Sequence, residues 1–234
     1  MPYSKHHQCY FYHIPRTGGT SIEDSIKGLK KNHHGYERQH TSFNDRVTRE
    51  KISNFLEEGH KYYTPDIELP EGYDDMWKFT LVRNPWSRLF STYTNTTPWI
   101  RNYFDSFSDY AIYWSTYVER NFEDTSDQYQ TLFWNTQLRH IHWAPMYRYI
   151  SNVPDLYIGR FEKLEEEWDY IRSQIPKNSH ELLPKLAYAR KSKIKRQKKE
   201  FPHHYTYYYD NKAREAVAKG YATDIETFEY EFEQ

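Results

Sequence analysis

Only one cysteine, Cys9, stands among the 234 residues. It excludes an internal disulfide framework and any zinc site built on several thiolates. Neither sign of charge is in excess: 32 Lys and Arg face 33 Asp and Glu, a formal net charge of −1. No global field therefore draws the chain to nucleic acid. Nowhere do about 18 apolar residues run together, so no membrane span is expected. Met1 to His7 lack the apolar stretch of a secretory signal. What the chain has instead is aromatic weight: 24 Tyr, 13 Phe and 7 Trp, 19% of all residues. These rings offset a thin aliphatic complement and argue against disorder. The length fits one domain, and the expectation is a soluble, intracellular, single-domain protein spanning residues 1–234.

Along the chain, Gln8 to Ile14 is aromatic and extended in character, and Pro15 closes it. After a glycine-rich turn, Ile22, Ile26 and Leu29 recur at i, i+4 and i+7, the stripe of a helix starting near Thr20 or Ser21. A polar, His-rich stretch, Asn32 to His40, precedes a helix expected from Asn44 through Leu56, and Pro65 to Asp75 reads as a loop. Met76 to Val82 is short and largely apolar, as a central parallel strand should be. Asn84 then suits an N-cap and Pro85 the first helical position, with Trp86, Leu89, Phe90 and Tyr93 on one helix face. Asp155 to Gly159 reads as a further strand, with Phe161, Leu164, Trp168 and Ile171 as the inward stripe of the helix after it. Thr94 to Tyr149 looks helical, and Asn211 to Lys219 and Ile225 to Phe232 look like closing helices. Strand, glycine turn and helix in alternation describe an α/β domain.

Two strand-to-helix turns call for an anion. In Pro15-Arg16-Thr17-Gly18-Gly19-Thr20-Ser21, paired glycines let backbone N–H groups converge, and the helix that follows presents its positive end. Hydroxyls of Thr17, Thr20 and Ser21 and the charge of Arg16 add donors; the competing reading is an ordinary, well-capped βα turn. The pattern G-x-x-x-x-G-K-[ST] is absent. The second turn places Arg83 where a central strand ends, at the edge where α/β proteins bind ligands, and Ser91 two helical turns further on. The guanidinium fork of an arginine suits bidentate phosphate contact, although an isolated arginine is more often a surface ion pair. A ligand with two separated phosphates would need both turns.

The stretch His13 to Ser21 resembles the 5′-phosphosulfate loop of carbohydrate-type sulfotransferases, usually Pro-Lys-Thr-Gly-Gly-Thr-Ser. Phe79 to Tyr93 resembles their 3′-phosphate motif, Ile158 to Leu164 a later strand-to-helix segment, and Tyr207-Tyr208-Tyr209-Asp210 through Phe232 their closing helices. The resemblance runs in order from residue 8 to 232. It implies a P-loop-like three-layer α/β fold with a central, mainly parallel sheet flanked by helices. It also implies the donor 3′-phosphoadenosine 5′-phosphosulfate (PAPS, leaving as PAP), and transfer of its sulfuryl group to a carbohydrate hydroxyl with no metal required. Carried onto this chain, Arg16, Thr17, Gly18, Gly19, Thr20 and Ser21 would embrace the phosphosulfate, Arg83 and Ser91 would take the 3′-phosphate, and Ser192 and Lys193 of Lys191-Ser192-Lys193 would add donor contacts. Related animal enzymes sit behind a membrane anchor, so a cytoplasmic setting, in a bacterium or a virus-infected cell, is expected for a chain lacking one.

Two departures stand out. Arg16 replaces the usual lysine, so it clamps charge without passing a proton, and the basic segment Arg190 to Lys199, seven of ten residues, lengthens the spacer Ile194 to His204. That segment reads as a solvated or donor-proximal loop, with an anionic polysaccharide, a nucleic acid or a localisation receptor as its other possible partners. Sulfuryl transfer needs a base for the acceptor hydroxyl, and histidine suits neutral pH. By the resemblance His40, just before the helix between the two donor loops, is the candidate, with His33 and His34 as rivals. His140 and His142 read as packing or acceptor contacts. The aromatic region holding Trp99, Tyr103, Phe104, Tyr110, Tyr113, Trp114, Tyr117, Trp134 and Trp143 fits a glycan acceptor and fits an aromatic core equally well. The rival activities are a nucleotide-dependent P-loop kinase and a glycan- or nucleotide-binding module that has lost catalysis.

Overall fold

Alternation sets the sheet: Cys9 and Phe11, then Phe79 and Leu81, point to one face, and Tyr10, Tyr12, Thr80 and Val82 to the other. All eight are buried. Burial on both faces is what a parallel sheet in an α/β domain requires. The protein is described by a computed structural model covering residues 2–4, 7–27, 36–38, 71–95, 101–119, 142–151, 153–175, 183–186 and 199–233. Five strands, β1 (Pro2–Ser4), β2 (Cys9–Tyr12), β3 (Tyr36–Arg38), β4 (Trp77–Val82) and β5 (Leu156–Arg160), form one sheet in the order β3-β1-β2-β4-β5. The strands β2, β4 and β5 run parallel, with Phe11 opposite Phe79 and Thr80 opposite Ile158. β1 is antiparallel to both β2 and β3.

The expected α/β architecture is present, and the sheet differs from expectation at its edge. Two three-residue strands lie where no strand was expected, near the amino terminus and within the polar His-rich stretch. Such short strands carry no alternation long enough to read. They make that half of the sheet antiparallel.

The chain divides into two compact units, one of Met1–Arg83 with Arg148–Lys191 and one of Asn84–Tyr147 with Ser192–Gln234. In the first, helices α1 (Gly19–Lys27) and α4 (Leu164–Gln174) bring Ile22, Ile26, Trp168 and Ile171 into one core cluster with Cys9, Phe11, Phe79 and Leu81. Burial pushes the Cys9 thiol up to about 12, so this residue is a packed hydrophobe rather than a nucleophile.

The second unit holds α2 (Pro85–Asn95), α3 (Phe107–Glu119), α5 (Asn211–Gly220) and α6 (Ala222–Thr227). Asn84 caps α2 as its sequence suggests. Its Oδ1 accepts from the N–H of Trp86 at 3.1 Å and of Ser87 at 3.3 Å. Trp114 stacks on Trp143 with centroids 3.8 Å apart, and the Trp143 indole donates to the Tyr110 hydroxyl at 2.8 Å. Asp224, fully buried, accepts from the backbone N–H groups of Met146 and Tyr147 at 2.7 and 2.8 Å. The last helix is shorter and earlier than the expected Ile225 to Phe232, because Glu229 adopts a φ of 53° and the Tyr230 N–H bonds back to Ile225 O. No helix among the described residues is long and apolar enough to cross a membrane.

Candidate active site

Because β2, β4 and β5 are parallel neighbours, their carboxyl ends lie at one edge of the sheet, the edge at which open α/β sheets bind ligands. Three segments leave there: His13 to Gly18 after β2, Arg83 after β4, and Phe161 after β5. All belong to the first unit.

The loop after β2 owes its shape to two left-handed residues, Arg16 at φ 74° and Gly18 at φ 87°. Glycine takes this conformation freely, whereas a side-chain-bearing residue there costs on the order of 1–3 kcal/mol. The surroundings hold it. Thr17 is fully buried and its hydroxyl donates to Ile14 O at 2.8 Å, while Ser21 N–H donates to Gly18 O at 2.9 Å as α1 begins. The proton of the Thr17 hydroxyl is thereby directed into the loop's own backbone. Helix α1 starts at Gly19, just before the expected Thr20 or Ser21, with its first-turn N–H groups and positive dipole end at the loop.

Close approach explains both glycines. A Cβ on Gly18 would stand 3.0 Å from Phe161 Cδ2, and one on Gly19 would stand 2.1 Å from His13 Cδ2 and 2.2 Å from its Nε2. The His13 ring lies against the start of α1, stacked on Phe11 at a centroid distance of 5.4 Å. Its Nδ1 pairs with Oε1 of the buried Glu23 at 2.6 Å.

Arg83 is drawn into the same place. Its Nη1 donates to Arg16 O at 3.2 Å, and its guanidinium carbon lies 4.1 Å from the Phe161 ring centroid. The sequence pattern assigned Phe161 to the inward stripe of a helix. It sits instead in a 3-10 turn, Phe161–Lys163, ahead of α4, half-buried between Gly18 and Arg83. An i, i+3 count absorbed it because a 3-10 turn continues a helical spacing. The Arg83 guanidinium, the His13 imidazole and the amino end of α1 stand at one strand edge, groups of the kind that match an oxyanion. His13, Glu23 and Phe161 are the members that sequence reasoning did not single out. Their available signal was position, immediately after a strand or one helical turn past the glycines.

Other expected site residues belong to the second unit or lie outside the described residues. Ser91, in the second unit, occupies the second turn of α2, and its carbonyl accepts from the Asn95 amide at 2.8 Å. His40, His33, His34, Ser192 and Lys193 lie outside the described residues, as does all of the basic run except Lys199. Of the aromatic residues read as glycan contacts or core, Phe104, Tyr110, Trp114, Tyr117 and Trp143 are core, and Tyr103 is 47% exposed. Stacked in this way, the buried rings present no face to an acceptor. Trp99 and Trp134 lie outside the described residues. Among the described residues no three or more His, Cys, Asp or Glu gather as metal ligands would.

A family model described as "Sulfotransferase family" matches residues 2–231. No curated protein matches the chain, and no solved structure does.

Proposed function

The chain belongs to the sulfotransferase family, and from that premise we propose that it transfers a sulfuryl group from PAPS to a hydroxyl of a carbohydrate acceptor. The observation that carries this reading is the joining of Arg16 and Arg83, from two adjacent parallel strands, beside the Gly18–Gly19 start of α1. When bound, the donor supplies an activated sulfuryl group. The acceptor oxygen bonds to sulfur, the bond from sulfur to the 5′-phosphate oxygen breaks with its electron pair left on that oxygen, and the hydroxyl proton goes to a base.

In this reading Arg16, the N–H groups from Thr17 to Ser21 and the hydroxyls of Thr20 and Ser21 hold the 5′ end. Preorganised donors of this kind stabilise charge where it develops. Arg83 and Ser91 are assigned the 3′-phosphate by the Phe79 to Tyr93 motif, and Ser192 and Lys193 further donor contacts by the Lys191 to Lys193 element. His40 acts as the base, a role worth about 10²–10⁴-fold. Since the family match runs across both units, residues 1–234 are read as one sulfotransferase domain. The setting is read as cytoplasmic. The carbohydrate acceptor rests on the sequence resemblance, because most of the described aromatic rings are packed in the core.

Calorimetry with PAP and with ATP, followed by transfer of labelled sulfate from PAPS over a panel of glycans, tests the proposal. Binding of PAP well above ATP, with label on a glycan, is expected. Equal binding of ATP, or no binding of PAP, overturns the donor assignment, and transfer to no glycan overturns the acceptor.

A further inference from the structure

A histidine at the end of β2 and a glutamate on α1 meet at the loop, and the activity as proposed uses neither. His13 Nδ1 lies 2.6 Å from Glu23 Oε1, with Glu23 only 3% exposed. A buried carboxylate held this closely fixes the ring's orientation and accepts a hydrogen bond from Nδ1–H, leaving Nε2 as the working atom. The direction of that atom follows from the glycine beside it. In a helix the Cα–Cβ bond tilts toward the amino terminus. The volume that a Cβ on Gly19 would fill, which the Cδ2–Nε2 edge occupies at 2.1 and 2.2 Å, therefore lies at the amino end of α1. The N–H groups of the loop and the helix dipole face the same end. The side chain is 23% exposed, open enough for a ligand to reach.

We propose that His13 is a further donor-binding catalytic residue: its Nε2–H contacts the 5′-phosphate oxygen that receives the electron pair as the sulfuryl group departs, with Glu23 as its positioning residue. The inference rests on the functional reading above. With Nδ1–H donating to the Glu23 carboxylate, Nε2–H is left to donate to a bound phosphate. It gives a hydrogen bond and keeps its proton, so the balance of the transfer is unchanged. Arg16 beside it holds charge at the loop as a planar fork, while His13 adds one directed, charge-assisted bond at the atom where negative charge grows.

The test compares two nucleotides by calorimetry, PAP and adenosine 3′-phosphate, which lacks the 5′-phosphate. His13→Asn is expected to bind PAP about tenfold or more weakly than wild type, the loss of a charge-assisted hydrogen bond, and to bind adenosine 3′-phosphate as wild type does. Glu23→Gln keeps an acceptor at Nδ1 without the charge. It should lose PAP affinity less than His13→Asn, and Glu23→Asp should recover more of it than Glu23→Ala. In transfer assays both His13→Asn and Glu23→Gln should lower kcat. Melting temperatures identify any variant that fails to fold, and the His13→Asn and Glu23→Gln pair gives two independent readings. Wild-type protein that binds neither nucleotide overturns the functional reading itself. Wild type that binds PAP while His13→Asn binds it equally well overturns this inference alone, as does an equal loss for both nucleotides.

Discussion

The guanidinium of Arg83 donates to the carbonyl oxygen of Arg16 at 3.2 Å, so the charge leaving one parallel strand is tied to the loop leaving its neighbour. One arginine thereby fixes the other's backbone, and that backbone is in the strained left-handed region.

Phe161 supports Arg83 from beneath at 4.1 Å. A cation–π contact of this kind contributes about 0.5–2 kcal/mol, more as it is desolvated. Phe161→Leu keeps bulk against Gly18 and removes the ring face. It should weaken PAP binding by about 2- to 30-fold with a melting temperature near wild type, as calorimetry and thermal unfolding would read. Unchanged affinity would mean that Arg83 needs no support from this ring.

Arg16→Lys preserves a positive charge and faces the same backbone strain, since both side chains carry a Cβ at φ 74°. Arg16→Ala shares the strain and loses the charge. Sulfate transfer should remain appreciable in Arg16→Lys and fall by at least about 10²-fold in Arg16→Ala, the scale seen when one charge-stabilising donor is removed. Equal turnover in wild type and Arg16→Ala would take Arg16 out of the mechanism.

Gly19→Ala places a methyl group 2.1 Å from the His13 ring. Either the ring moves off Glu23 or α1 shifts, at a cost of about 1–3 kcal/mol for overpacking. In a His13→Ala background the obstruction is gone and the same change should cost well under half as much. A double-mutant cycle read by denaturant unfolding checks this, and additive losses would refute the contact.

Asp210 caps α5, its carboxylate accepting from the N–H of Ala213 at 2.8 Å. That backbone hydrogen bond, with help from Ser108, holds the carboxyl below its usual range. A carboxylate with a depressed folded value stabilises the protein above its unfolded pKa of about 3.9, and the contribution disappears as pH falls through the folded value. Asp210→Ala should therefore cost about 1 kcal/mol at pH 7, and its melting temperature should converge on that of wild type in acid. A gap that persists below pH ~2 would point to packing instead.

The residues show which parts of this protein could be read along the chain. The strands Cys9–Tyr12, Trp77–Val82 and Leu156–Arg160 follow from short apolar or aromatic runs ended by turn residues, and the start of α2 from Asn84-Pro85. The tight turn after β2 follows in part from Gly18, because the left-handed conformation it adopts is a property of glycine itself. Such features depend on neighbours a few positions away, and the order of residues determines them alone. The partners of the loop were decided by tertiary structure. Phe161 packs on Gly18 across more than 140 positions, Arg83 reaches Arg16 O across 67, and the Trp114–Trp143 stack decides for the core between two readings the sequence left open. Even His13 and Glu23, ten positions apart, meet only because β2 and α1 fold back against each other through a left-handed turn. Contacts of that kind arise from how strands are ordered in a sheet, and no local periodicity or propensity encodes that order.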